Sequence, residues 1–442
     1  MTRRFLLATI AAIALPVLAA TTRPAAAQSS WTVTDLGRLP NSDRSYPNDV
    51  DSSDINNVKV AGNTVRSGSL YRGFYWNSAT KTMVDIGVIG ASSYSRAYDV
   101  NGRGEVVGQS GNALYWNPGR GAGNPLDLAP DWPSSTAYNI NENGIVVGSV
   151  HSESTGTLWA CWIPTEYGVY GTTVVLPRPS DTGVTNSGPG NGRFLAESGD
   201  ILGQVVDASG ASHAAYWKNT GTAASPVYGQ PTIIVEPSAG ASALPAVVNS
   251  QRQVAGTWLV SGSYRPFGWN EGDAVATDLG VFTTSGSTQA WGLNDLGQVA
   301  VHAPITVGTG TETRAAIWLP QADAAFGLSA GLNLLTTPGG ASTVGGTQTR
   351  PYGTSFNGKG FTINNSSQIV GYSTIKSGDP HAIIWDKANK MRDLNSTSLT
   401  PNKATFSYLR DASGITDNGY IVGTGLTSKG KYIQACLLKP NP

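Results

Sequence analysis

The chain is short of charge, sulfur and imidazole. Of its 442 residues only 13% are charged, and Lys plus Arg equal Asp plus Glu at 29 each, so the formal net charge is zero. That balance argues against a nucleic-acid partner, because phosphate binding needs a basic footprint. The longest basic cluster is only Lys429-Gly430-Lys431. The histidines, His151, His213, His302 and His381, show no metal-ligand spacing and no His-Glu-x-x-His run. A Gly-x-Ser-x-Gly elbow and a phosphate-cradling loop are also missing. No cofactor and no metal is therefore expected.

The two cysteines, Cys161 and Cys436, invite a disulfide in an exported chain. Both fall in the same strand of a repeat described below, in blades far apart on a ring. A disulfide needs Cα atoms within ~7 Å, so two buried free thiols are expected.

Long apolar runs are lacking outside the N-terminus. Arg3 and Arg4 precede an Ala-rich apolar stretch, Leu6 to Ala20, and Ala25-Ala26-Ala27 offers a cleavage site. Residues 1–27 read as a signal peptide, too short for a membrane span. Thr2-Arg3-Arg4-Phe5-Leu6-Leu7 resembles the twin-arginine motif, so Sec and Tat export both stay open, with Sec favoured. Residues 28–442 are expected to be a soluble protein, secreted or periplasmic, with no membrane span and monomeric.

What is abundant is glycine, 54 residues, and it recurs in a pattern. Val106-Val107-Gly108 returns as Val146-Val147-Gly148, Ile201-Leu202-Gly203, Val254-Ala255-Gly256, Ile369-Val370-Gly371 and Ile421-Val422-Gly423. Val60-Ala61-Gly62 is a variant and Val299-Ala300-Val301 a decayed copy. A Trp follows in most copies: Trp76, Trp116, Trp162, Trp217, Trp269, Trp318 and Trp385, with Leu in the last. A turn Asn precedes as Asn56, Asn101, Asn141, Asn249, Asn294 and Asn364, replaced by Ala196 and Thr416. Asn suits a turn because it tolerates left-handed backbone and bonds its own main chain. An Asp followed by Leu or Ile closes each clear copy, as in Asp85-Ile86-Gly87, Asp127-Leu128, Asp278-Leu279-Gly280 and Asp393-Leu394.

Four short strands per copy make a propeller blade. The fold class is all-β: a single β-propeller of eight four-stranded blades, with seven as the alternative. Blade cores are expected near 54–87, 97–128, 137–177, 194–235, 245–280, 290–335, 361–395 and 409–438. The last copy lacks its fourth strand, and Trp31-Thr32-Val33-Thr34-Asp35-Leu36-Gly37 supplies the missing Asp-Leu-Gly. The ring is expected to close by pairing the two ends, which removes exposed sheet edges.

The run Ile-Asn-x-x-Gly-x-Val-Val-Gly, then His-Ala-Phe-x-Trp, then Asp-Leu-Gly resembles the bacterial extracellular HAF repeat. His213-Ala214-Ala215-Tyr216-Trp217 and His381-Ala382-Ile383-Ile384-Trp385 come closest to its naming motif. The resemblance covers nearly all of the mature chain. It implies fold and export, and no chemistry.

Candidate functional residues fall in two sets. One recurs before each Trp: Arg72, Asn112, His213, Arg265, Arg314, His381 and Gln434. It reads either as caps bonded within each blade or as a ring of donors gripping an anionic or hydroxylated polymer. The other set breaks the repeat between blades: Tyr46, Asn48, Asp49, Tyr94, Arg96, Asp131, Trp132, Arg193, Gln289, Trp291, Tyr408 and Arg410. Aromatic bodies beside polar groups suit sugar rings, and blade packing is the other reading. Asn139-Ile140-Asn141-Glu142-Asn143-Gly144 reads as a hairpin turn rather than a calcium loop. The Gly/Thr/Ser-rich stretch 336–360 reads as a surface loop or a binding loop.

Two functions remain open at this level. The first is a binding module for extracellular glycans or envelope partners. The second is a polysaccharide-active enzyme. As a lyase it would draw its base and its uronate-neutralising cation from His213, Tyr264, Arg265 and His381. As a glycosidase it would use a carboxylate pair from Asp49, Asp51, Asp131, Glu153 or Glu271.

Overall fold

A computed structural model describes residues 30–441, except 67–69, 180–193, 237–241, 284–286, 325, 337–348, 352–361, 375–378, 387–389 and 429–431. The expected signal peptide, Arg193 and most of 336–360 lie outside the described residues. The described residues form a β-propeller of eight small antiparallel sheets in meander order, with one short 3-10 turn at Pro118–Arg120 and no α-helix. No helix among the described residues is long and apolar enough to cross a membrane.

Blade two shows the plan: strands Arg96–Val100, Val106–Ser110, Asn112–Trp116 and Leu126–Asp127, in that order across the sheet. First strands of neighbouring blades touch one another, which places them nearest the ring axis. Fourth strands therefore form the outer rim. Blade four keeps three strands, because Leu195 makes only an isolated bridge to Ile201 where a first strand would stand. Blade one begins at Ser42–Asp51, upstream of the expected start at 54. Val50 pairs with Val60 and Asp51 with Lys59, so Asp51 holds the turn-asparagine position. Asn56 sits inside a longer turn and is not equivalent to the other asparagines.

The ring closes as expected. Trp31–Gly37 pairs antiparallel with Ile433–Pro440 in the eighth blade. Trp31 is fully buried in one cluster with Ile384, Leu399 and Leu438. It fills the space that a repeat Trp would take where blade eight has only Leu438. Both cysteines are free and buried.

The recurring glycine has a steric cause. The first strand bulges opposite it in blades one, two, three, five and eight. The bulge drives a first-strand carbonyl onto the glycine. A Cβ on Gly108 would lie 1.8 Å from the Arg96 oxygen, on Gly148 1.9 Å from Thr136, and on Gly423 2.0 Å from Asp411. Only hydrogen fits there.

The recurring asparagine binds blade to blade. Asn294 Oδ1 accepts from Leu296 N and Gln298 N, and its Nδ2 donates to Gln298 Oε1 at 2.8 Å and to the Asn364 carbonyl of the next blade at 3.0 Å. Asn101 bridges to Asn141 O, Asn141 to Ala196 O, Asn249 to Asn294 O, and Asn364 to Thr416 O. The side chains are buried and every polar atom of Asn294 has a partner. The left-handed residue of these turns is not the Asn. It comes three places later, as Gly104 (φ 79), Gly297 (φ 74), Arg252 (φ 60) or Ser367 (φ 60). A second belt runs alongside: Gly102 N donates to Glu142, Glu142 N to Glu197, Ser250 N to Asp295, Asp295 N to Asn365 and Asn365 N to Asp417.

The belts change form at two junctions. Ala196 has no side-chain amide, and between blades four and five Arg252 pairs with Asp200 at 3.2 Å while Gln204 donates to Ala243 O. At the closing junction Asn418 donates to Ser52 O and Tyr420 to Ile55 O.

Candidate functional site

The polar row before each Trp stands at the start of the third strands, on the face opposite the asparagine belts. Its members other than Arg72 are engaged inside their own blades. Asn112 donates to Asp127 at 2.9 Å, Arg265 pairs with Asp278 at 2.5 Å, and His381 Nδ1 meets Asp393 at 2.7 Å. Gln434, with its amide nitrogen toward Asp35, donates to it at 2.9 Å and accepts from Arg38 at 3.0 Å. The partner is each time the Asp of the Asp-Leu strand. That Asp uses its other oxygen on the backbone two residues on, at Ala129 N, Gly280 N, Asn395 N and Gly37 N. The repeat thus keeps donor and Asp together as one device that pins the outer strand.

Blades without that Asp improvise. Blade three replaces the donor by Leu158, and Arg314 pairs with Glu312 on its own strand. His213 bridges Asp207 at 3.0 Å on Nε2 and Glu236 at 3.2 Å on Nδ1. Burial pushes the His213 pKa down, but the two carboxylates more than offset this and the net shift is upward. Asp207 is held below the usual carboxylate range by Ser209 and His213. In blade one the Asp85 carboxylate is paired with Arg66, at 3.8 Å, and not with Arg72. Of the two readings of this row, caps bonded within each blade describe Asn112, His213, Arg265, Arg314, His381 and Gln434.

The residues named for a lyase are dispersed. His213 is on blade four, Tyr264 and Arg265 on blade five, and His381 on blade seven. Tyr264 is anchored through its backbone, donating to Ser287 Oγ and accepting from Thr288 N. Among the described residues no cluster of His, Cys, Asp or Glu could hold a metal ion. Asn139 and Asn141 of the loosely calcium-like turn accept from Phe194 N and bridge to Ala196 O.

The repeat-breaking residues divide. Asn48 and Asp49 lie inside the first strand of blade one and clasp blade two, at Ala97 O and Val100 N. They are buried joints. Trp132 packs against the cluster of Tyr115, Ala137 and Trp162. Trp291 donates to His302 at 2.5 Å across its own sheet. Tyr46 lies on the first strand of blade one, half-buried, beside exposed Arg44.

Two junctions gather aromatic and polar groups on half-buried surface. Between blades one and two, the Arg96 guanidinium lies over the Tyr71 ring at 4.4 Å, with the Tyr94 ring at 6.0 Å. Between blades seven and eight, the His381 ring stacks on Tyr408 with centroids 5.6 Å apart while Asp393 holds its Nδ1. His381 keeps Asp393 below the usual range against the upward push of burial. Arg410 follows Tyr408 on the same strand. Beside it Asp411 is pushed up to about 6 by burial, although Thr424 donates to it through N and Oγ1.

Tyr71, Asp393 and Asp411 escaped the sequence reading as site residues. Asp393 was legible as the strand motif, but its pairing with His381 was not. Tyr71 carries no signal beyond adjacency to Arg72.

No family model and no curated protein matches the chain. Solved structures similar to it include the BP39L lectin from Burkholderia pseudomallei, at 12% identity over 83% of this chain and 98% of that one, TM-score 0.39. The WD40 domain of SCAP from fission yeast shares 9% identity over 93% and 94% of the two chains, TM-score 0.46. An oligogalacturonate lyase in complex with manganese shares 12% identity over 94% of each chain, TM-score 0.40. At such identity and overlap the likeness is one of fold alone.

Proposed function

We propose that the chain is an exported, secreted or periplasmic HAF-repeat propeller that binds extracellular or envelope glycans without transforming them. One observation carries the reading. Where the repeat breaks, half-buried tyrosines stand beside cationic or imidazole groups at the junctions of blades one and two and of blades seven and eight. A tyrosine face takes the C–H side of a sugar ring, and the adjacent N–H groups take its hydroxyls. His213 and His381 stand on other blades than Tyr264 and Arg265, and His213 and Arg265 are committed to carboxylates.

The test is a panel of neutral and acidic polysaccharides, read by calorimetry for binding and by reducing ends and unsaturated-uronate absorbance for cleavage. Binding without products is expected. Products would establish the alternative, a polysaccharide lyase or glycoside hydrolase, and absence of binding across the panel would reject the glycan reading.

A further inference from the structure

Six arginines among the described residues are neutralised. Arg66, Arg103, Arg252, Arg265, Arg314 and Arg392 each have a carboxylate in ion-pair range. Arg96 is half-buried and has no such pair among the described residues. Its neighbours are instead the rings of Tyr71 and Tyr94, and its buried Nε has no hydrogen-bond partner. A guanidinium removed from water without a counter-charge costs stability unless something repays it. Cation–π contact offsets part of that cost and leaves the hydrogen-bonding edge unused.

The surroundings hold this group in place. The Arg96 carbonyl is wedged against Gly108, where a Cβ would stand 1.8 Å away. Ser95, fully buried, donates from its N to Tyr71 O and accepts from Gly73 N. The Tyr94 carbonyl accepts from Ser110 Oγ at 2.7 Å and Ser92 Oγ at 2.9 Å. Such anchoring lowers the ordering cost of a bound ligand.

We propose that Arg96, set between Tyr71 and Tyr94 at the junction of blades one and two, is a recognition contact for the carboxylate of a uronic acid residue in the bound glycan. This rests on the glycan reading above and narrows it to acidic polymers. A planar carboxylate matches the edge of the guanidinium fork, and Tyr94 offers a face for the sugar ring.

The experiment compares a galacturonate oligomer with its carboxyl-reduced counterpart by calorimetry. The wild-type protein is expected to favour the acidic oligomer by about tenfold, a charge-assisted pair's worth of affinity. Arg96→Gln should abolish the preference while binding to the reduced oligomer persists, and Arg265→Gln should leave it intact. If Arg96→Gln fails to fold, Arg96→Lys keeps the charge without the fork and should lower the preference severalfold. Equal affinity of wild type for both oligomers, or an unchanged preference in the folded Arg96 variants, overturns the subsite and leaves the glycan reading standing. Binding of neither these oligomers nor any other polysaccharide overturns both.

Discussion

The two faces of the ring use recurring residues differently. On the asparagine face, each recurring side chain reaches across to the next blade, as Asn101 does to Asn141 and Asn249 to Asn294. On the opposite face, the recurring donors turn back into their own blade, as Arg265 does to Asp278. The first arrangement fixes how blades sit against each other. The second fixes only an outer strand. Most recurring side chains are thus taken up within the fold, and the glycan reading proposed above places recognition at positions such as Arg96 and Tyr408.

This difference can be broken most severely at the ring's closure. Trp31 is fully buried and donates from Nε1 to Gly419 O at 3.1 Å. Trp31→Ala should cost about 3–5 kcal/mol, as for other buried aromatic deletions. Deleting residues 28–37 should do more, since it also exposes the edge of the last strand. Thermal unfolding measures both. An unchanged midpoint after the deletion would refute closure as the source of stability.

Next in size is the asparagine belt. Asn294→Ala strands buried Gln298 N, takes a partner from Leu296 N and Gln298 Oε1 and removes the bond to the Asn364 carbonyl of the next blade, and should cost about 2–4 kcal/mol. Asn112→Ala, on the other face and half-buried, should cost less than about 1 kcal/mol. Equal losses in denaturant unfolding would erase the distinction between the faces.

The legibility of the fold follows the same division. Gly108 and its equivalents were visible because sterics admit one residue type there, and Trp116 because one large side chain fills each wedge between sheets. Blade type, blade number and the closing strand could all be read from such positions. The Asn56 misplacement arose because blade one lengthens its turn, and an insertion inside a turn shifts spacing without changing residue types. The donor row was visible as a row, but its meaning depended on Asp127, Asp278 and Asp393, whose distance across the sheet no spacing encodes. The junction clusters were half visible. Tyr94 and Arg96 stood out as departures, whereas Tyr71 became significant only when the fold brought blade one's third strand beside blade two.

The smallest expected effect concerns the one donor of the outer row that meets two carboxylates. His213 sits between Asp207 and Glu236, and its pKa is raised above the ordinary 6.5. The folded state therefore binds its proton more tightly than the unfolded chain. Its stabilising share is fully present below pH 6.5 and is lost as pH rises through the folded pKa. Asp207 is shifted the other way, below 3.8, so its share is present above that value and fades as pH falls through the depressed pKa. The difference in midpoint between wild type and His213→Gln should therefore be widest between about pH 4 and 6.5 and narrow on either side. For a partly exposed pair in a chain of this length the difference should be about 1–2 °C. Arg265→Gln breaks the matching pair in blade five, where no imidazole titrates, and its midpoint difference should stay flat across pH 6 to 8. Parallel profiles for the two variants over that range would show that the His213 bridge contributes nothing through its proton.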